Sequence, residues 1–289
     1  MAAAETPTPG ERVFVALQYL LPQHLLSRIA WHATRCEAAW WKNALIRSFL
    51  RHFDVNMAEA AEPDPFAFAS FNHFFTRALR TGARNVAQEP FSVVSPVDGT
   101  VSAAGVIERD RLFQAKGREY TLDQLLGDAT LGRRFQDGRF ATLYLAPHDY
   151  HRVHMPLAGT LSATIHVPGR LFSVNTATAA QVPRLFARNE RVICLFDTDF
   201  GPMALILVGA LFVGSMSTVW AGDITPRAQA RSRGPGSKDT PIRLERGAEM
   251  GRFNMGSTVI LLLDRGVLWE PTLVPGSLVR VGESIGRWT

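Results

Sequence analysis

Apolar residues recur at helical spacing along the first fifty or so positions, and from about position 90 onward they come instead in short unbroken runs. The run Val13 to Leu21 is interrupted by Gln18 and stopped by Pro22, well short of the roughly 20 residues a bilayer span needs. After Pro22 the spacing predicts a helix that gathers Leu25, Leu26, Ile29, Ala33, Cys36 and Trp40 into one stripe, with Arg28, Arg35 and Lys42 at seven-residue intervals beside it. Tryptophans at 31, 40 and 41 suit a lipid headgroup boundary. A further amphipathic stretch carries Leu45, Ile46, Phe49, Leu50 and Phe53 among Lys42, Arg47 and Arg51. Such helices most often pack on a core, and the alternative is a helix lying on a membrane surface.

Beyond position 90 the runs are punctuated by Gly, Pro and Asp, as in a mainly antiparallel β region. Phe140 to Leu145, Val192 to Phe196 and Met203 to Val208 read as strands, the last two joined as a hairpin through Asp197 to Pro202. Thr258 to Leu263, β-branched and leucine-rich, reads as a buried strand. Pro96-Val97-Asp98-Gly99-Thr100-Val101 is echoed inexactly by Pro156-Leu157-Ala158-Gly159-Thr160-Leu161, and Pro275 to Gly282 has a similar texture. The expected fold class is therefore α+β, with a helical region over 1–85 and a β-rich region over 86–289. The repeated turns resemble those of barrel-sandwich hybrids.

Charge adds little to this division. Thirty-one basic against 26 acidic residues is a modest excess and no nucleic-acid signature. Cys36 and Cys194 stand apart and form no metal or redox motif.

Candidate chemistry concentrates in three places. Gly256-Ser257-Thr258 runs straight into the apolar strand, an arrangement that suits a serine attacking its own preceding carbonyl, since glycine permits backbone conformations that other residues resist. A hydroxyl needs a base and an orienting carboxylate. Asp98 sits in the Ser95-Pro96-Val97-Asp98-Gly99-Thr100 turn, and His148, His151 and His154 crowd one short segment. Those three donors also allow a metal site, but no Cys, Asp or Glu motif completes a ligand set, and no metal is expected.

Phe71-Asn72-His73-Phe74-Phe75-Thr76-Arg77, the Pro-Val-Asp-Gly turn, Asp149-Tyr150-His151-Arg152-Val153-His154-Met155-Pro156 and Leu171-Phe172-Ser173-Val174-Asn175 follow one another along the chain. Phe186-Ala187-Arg188-Asn189-Glu190-Arg191, Val219-Trp220-Ala221-Gly222 and Glu249-Met250-Gly251-Arg252-Phe253 come after them. In that order, over nearly the whole length, the chain resembles phosphatidylserine decarboxylase, the bacterial pyruvoyl-dependent proenzyme. It departs from the family pattern at Met255, where leucine is usual, and at Arg84-Asn85, where Arg-Pro is usual.

The resemblance implies that Asp98, His154 and Ser257 form a self-processing triad. His154 takes the proton of Ser257, and Asp98 holds the imidazole in its useful tautomer. Attack on the Gly256 carbonyl gives an ester. Its elimination leaves dehydroalanine at 257, which becomes a pyruvoyl group with release of ammonia. The products are a β chain of residues 1–256 and an α chain of residues 257–289, expected to stay together as a heterodimer that in turn dimerises. The ketone condenses with the serine amine of phosphatidylserine and accepts the electrons of the departing carboxylate, with His151 as the proton donor. Phosphatidylethanolamine and carbon dioxide result. Such an enzyme is expected at the cytoplasmic side of the inner membrane, peripherally bound to anionic lipid.

Two other readings remain open on the residues alone. A serine hydrolase would use the same three side chains, but Met255-Gly256-Ser257-Thr258-Val259 lacks the second glycine of a nucleophile elbow. A non-enzymatic membrane adaptor would explain the helices and strands, but not the histidines. The polar segment Arg227 to Asp239, with Gly234-Pro235-Gly236, reads as a surface loop.

Overall fold

The computed structural model describes residues 7–115, 118–212, 215–224, 231–233, 241–255 and 258–289. Helix α1 covers Pro9–Leu20 and starts on a reciprocal cap, in which the Glu11 amide donates to Thr8 Oγ1 and the Thr8 amide to Glu11 Oε2. Helices α2 and α3 follow at Gln23–Arg35 and Ala39–His52, and the short α4 at Phe71–Phe75.

The first two helices are docked by polar side chains. In α1 the buried residues are Val15 and Gln18, and in α2 they are Gln23, Ser27 and Thr34. Gln18 Oε1 accepts from the Ser173 amide at 2.7 Å, and Gln23 Oε1 accepts from the Leu171 amide at 2.8 Å. Gln23 Nε2 donates back to the Gln18 carbonyl at 2.8 Å. The residue that breaks the first apolar run is thus the one facing the protein. Val13, Phe14, Leu17, Leu20, Leu25 and Ile29 point outward, Leu20 being 82% exposed.

The expected single stripe from Leu25 to Trp40 is divided between two helices. Cys36 is already extended (φ −64°, ψ 124°), and Trp40 lies in α3. Side chains fix the break: Trp41 Nε1 donates to the Ala33 carbonyl at 2.8 Å, and Arg35 is drawn away to Ser215 and Asp223. Helix α3 buries Ile46 against Phe71, Phe74 and Phe75, with Phe49 tilted edge-on to all three rings.

The rest is mainly antiparallel sheet. In the largest sheet the strand order runs Arg231–Arg233, Gly159–Val167, Arg191–Thr198, Gly201–Val208, Thr258–Leu263, Arg139–Tyr144, Gly99–Val106, Leu278–Val279. That order is open at both ends, and no barrel closes among the described residues. The predicted hairpin pairs Arg191–Thr198 with Gly201–Val208, turning at Gly201, whose φ of 112° is costly for any residue with a Cβ. A smaller sheet aligns Arg152–His154, Glu249–Phe253, Met216–Thr218 and Gly222–Ile224. Of the expected Arg227 to Asp239 loop, Arg231–Arg233 forms an edge strand, and its remaining residues lie outside those described.

Thr258–Leu263 occupies the centre of the large sheet. All six residues are buried and pair without a bulge on both sides, with Thr258 opposite Tyr144 and Val208. Val259, Leu261 and Leu263 enter one apolar cluster, and Ile260 and Leu262 the other. Burial on both faces is why this strand reads as a continuous apolar run rather than an alternating one.

The sequence echo is structural. Gly99 and Gly159 each open a strand, and each strand bulges two residues later, between Val101 and Ala103 and between Leu161 and Ala163. A Cβ at Gly99 would strike the Tyr144 carbonyl oxygen of the neighbouring strand.

Candidate active site

Asp98, just ahead of its strand, is fixed by two residues, Arg84 and the distant Val281. Arg84 Nε lies 3.0 and 3.1 Å from its two oxygens, Arg84 Nη2 also donates to it, and the Val281 amide donates to Oδ1 at 2.9 Å. Arg84 reaches Glu59 as well, at 2.8 Å, and these hydrogen bonds raise its already high pKa. Its position gave no cue beyond the unusual Arg84-Asn85 dipeptide, so sequence reasoning missed it as a site residue.

The His154 segment is tied to the same turn, its amide donating to the Pro96 carbonyl at 2.8 Å. The His154 ring has other partners than Asp98. Nδ1 lies 2.8 Å from the Gly247 carbonyl and so carries the proton. Nε2 lies 3.1 Å from the Tyr150 hydroxyl and is left as the acceptor. Burial is the first cause that lowers the His154 pKa, so the imidazole is neutral in the tautomer a general base requires. Asp98 and His154 do not hydrogen-bond to each other.

His151 is fully buried, its ring stacked on Phe75 with centroids 4.0 Å apart. Nε2 is 3.2 Å from the Pro147 carbonyl and therefore carries the proton, while Nδ1 has no partner among the described residues. Burial, with help from nearby Arg77 and His148, pushes its pKa down to about 3. His148 is exposed and lies 3.6 Å from Asp149. The three histidines thus have three different environments, and no group of three metal-binding side chains converges among the described residues.

A cavity of about 220 Å3 brings Asp98 and Arg84 together with Arg77, His148, Asp149 and Tyr150. Asp149, also missed by sequence reasoning, accepts from the Ala146 amide at 2.7 Å, and burial raises its pKa. Arg77 is buried, and its Nε and Nη1 have no partner among the described residues.

Gly256 and Ser257 lie outside the described residues. Their flanks are described. The Phe253 amide donates to the His151 carbonyl at 3.0 Å, and Glu249 pairs with His154, so along this strand pair His151 is the nearer of the two to the chain entering position 257. Thr258 is fully buried, and its hydroxyl has no partner among the described residues. Met255 helps line an apolar cavity of about 380 Å3 with Phe14, Phe49, Phe53, Phe75 and Tyr144.

These features can be set against known proteins. A family model described as phosphatidylserine decarboxylase matches residues 71–287, and a second, described as PSD, matches residues 13–54. The chain belongs to the phosphatidylserine decarboxylase family. A phosphatidylserine decarboxylase proenzyme of Azotobacter vinelandii is 53% identical over 282 residues, covering 96% of this chain and 98% of the relative. One of Pseudomonas aeruginosa is 55% identical over 279 residues, covering 95% and 96%, and one of Stutzerimonas stutzeri is 53% identical over 282 residues, covering 96% and 95%. Within the phosphatidylserine decarboxylase match fall Asp98, His151, His154 and the Gly256-Ser257 bond. No helix among the described residues is long and apolar enough to cross a membrane.

Proposed function

We propose that this chain is a self-processing, pyruvoyl-dependent decarboxylase that converts phosphatidylserine to phosphatidylethanolamine and carbon dioxide. The observation that carries the reading is the setting of Gly256-Ser257. The bond lies inside the matched span and opens directly into a strand buried on both faces, with His151 bonded through its carbonyl to the chain that enters.

In the cutting step His154 Nε2 takes the Ser257 proton once the Tyr150 hydroxyl turns aside. The Gly247 carbonyl already holds Nδ1–H in the required tautomer. Asp98, held in place by Arg84, supplies the negative charge that stabilises the imidazolium. Cleavage between Gly256 and Ser257 yields a β chain of 1–256 and an α chain of 257–289. The α chain stays in place because Thr258–Leu263 is laddered on both edges, Ser284–Trp288 pairs with Ser92–Val94, and the Val281 amide holds Asp98. Each of its buried aliphatic side chains contributes about 1.5–3 kcal/mol.

The described residues around position 257 fit a pyruvoyl group, since the adjoining Thr258 hydroxyl is buried with no partner among them. That group supplies an electron-accepting ketone, which no ordinary side chain offers. His151 moves the proton: neutral at pH 7 with Nδ1 free, it takes one from the substrate ammonium and returns it to the carbon that loses carbon dioxide.

The docking of α1 and α2 through Gln18 and Gln23 supports a peripheral membrane site, because it leaves an apolar surface outward beside the apolar cavity at Met255. We assign residues 1–85 to membrane association and 86–289 to catalysis, on the cytoplasmic side of the inner membrane, with anionic lipid as the surface and a dimer of αβ units as the assembly. The two glycine-led, bulged strands support the barrel-sandwich hybrid resemblance.

The deciding experiment is the intact mass of the denatured protein beside Ser257→Ala, followed by a phosphatidylserine assay. Two chains divided after residue 256, an uncut variant, and lipid decarboxylation only by the cut form are expected. A single chain in both would overturn the proposal.

A further inference from the structure

The segment entering position 257 borders two cavities of opposite character. Met255 lines the apolar one, and its neighbour Asn254 lines a polar one of about 420 Å3. Arg35 at the end of α2, Asn72 of α4, and Ser217, Asp223 and Arg252 form walls of the polar cavity.

Most of its polar atoms are already matched. Arg35 Nη2 donates to Asp223 at 3.0 Å and to Ser215 at 3.1 Å, and Ser217 donates to the other Asp223 oxygen. Asn254 Nδ2 donates to Ser215 and Ser217, and Asn72 Nδ2 donates to Asn254 Oδ1 at 3.3 Å. Two atoms are left over. Among the described residues, Arg35 Nη1 is a buried donor without an acceptor, and Asn72 Oδ1 is a buried acceptor without a donor, on a residue only 7% exposed. Both are held in place, Arg35 by stacking 4.4 Å over Trp31 and Asn72 by its bond to Asn254.

A buried charged donor left unmatched is expensive, and the charge around it is not balanced. Arg35 pairs with Asp223, while Arg252 must share Glu249 with Arg152, a pair that lies outside the cavity wall, so Arg252 is only partly matched. A cationic donor and a carbonyl acceptor, both unmatched among the described residues, suit an anion beside an N–H donor. A phosphodiester of an aminophospholipid carries both, with its amine two carbons and an oxygen away from phosphorus.

The substrate carboxylate is the wrong anion for Arg35. A cation beside it would stabilise the ionised ground state more than a transition state in which that charge is leaving. The phosphate keeps its charge throughout, so binding energy invested there does not oppose the reaction. Its position is also suitable: Asn254 is three residues from Ser257, a reach of at most ~10 Å. The phosphodiester joins the two arms of the lipid, and the polar and apolar cavities meet at Asn254-Met255.

Building on the reaction proposed above, we propose that this polar cavity is the headgroup subsite, in which Arg35 and Arg252 hold the lipid phosphodiester and Asn72 accepts from the amine. The test titrates dihexanoyl phosphatidylserine into the Ser257→Ala chain by calorimetry, with phosphoserine and inorganic phosphate as separate arms. Arg35→Gln and Arg252→Gln are each expected to weaken the lipid roughly tenfold or more, the size of one charge-assisted hydrogen bond, with Arg35→Lys intermediate. In the cut enzyme the same variants raise KM for the short-chain lipid by a similar factor while kcat stays within about twofold. Thermal unfolding of each variant guards against misfolding. Arginine-dependent binding of inorganic phosphate as well as lipid supports a phosphate site in general, and binding of the phosphodiester alone supports a lipid-specific one. Unchanged lipid binding and KM in both folded variants, in a preparation whose parent decarboxylates the lipid, overturns the subsite and leaves the reaction standing. A parent that cuts itself but leaves the lipid intact overturns the reaction, and the calorimetric arms still decide the subsite.

Discussion

His151 links acid stability to the protonation state that catalysis needs. Its ring is fully buried against Phe75, and its pKa is pushed from 6.5 to about 3, mainly by burial. The unfolded chain therefore binds a proton that the folded chain refuses throughout that interval. The stabilisation is complete above pH 6.5, is lost as pH falls, and levels off near pH 3. At 1.36 kcal/mol per unit the whole interval is worth about 5 kcal/mol, and the first part, from pH 7 to 5, about 2 kcal/mol. His154 acts in the same direction, so the His151 share must be isolated. His151→Phe keeps an aromatic ring stacked on Phe75 and removes the titration. Urea unfolding of the uncut Ser257→Ala chain, with and without His151→Phe, would be followed at pH 7 and pH 5. The Phe variant is expected to lose about 2 kcal/mol less than its parent between the two values. Parallel losses, within roughly 0.5 kcal/mol, would show that His151 is not a buried neutral imidazole, and the proton-carrier role assigned to it would fall as well.

Arg84→Met removes the main partner of a nearly buried Asp98 carboxylate, and about 3–5 kcal/mol of stability should go with it in the uncut background, read as a lower urea midpoint. A loss under about 1 kcal/mol would mean that the Val281 amide and water suffice. Leu17→Glu with Leu20→Glu changes only outward positions of α1, so the folded midpoint should hold while flotation with anionic vesicles falls; undiminished flotation would place the membrane contact elsewhere. Gln18→Leu removes the acceptor of the half-buried Ser173 amide and should cost about 1 kcal/mol even though it makes α1 more apolar, and a stabilised variant would contradict the polar docking of the helix.

Much of the architecture was legible in local pattern. The hairpin between Arg191–Thr198 and Gly201–Val208, the buried strand Thr258–Leu263 and the change from helix to sheet all follow from periodicity, turn residues and run length. The Gly99 and Gly159 echo was legible only as a repeated turn, and the structure shows that both glycines open strands that bulge at the same offset. Periodicity failed where two helices share one stripe. The break after Arg35 is made by side-chain bonds from Trp41 back to Ala33 and from Arg35 to the distant Asp223, and hydrophobic spacing encodes neither.

The sequence by itself determined which residues are available for chemistry and how each short segment is built, because backbone propensity and hydrophobic period act over a few neighbouring positions. The tertiary structure decided which way the helices face, what surrounds each histidine and where charge is left unmatched. Those properties depend on contacts such as Gln18 with Ser173 and Asp98 with Val281, separated by 155 and 183 positions. Burial and partnership set the state of an imidazole or a guanidinium, and both are created only when distant parts of the chain close around it.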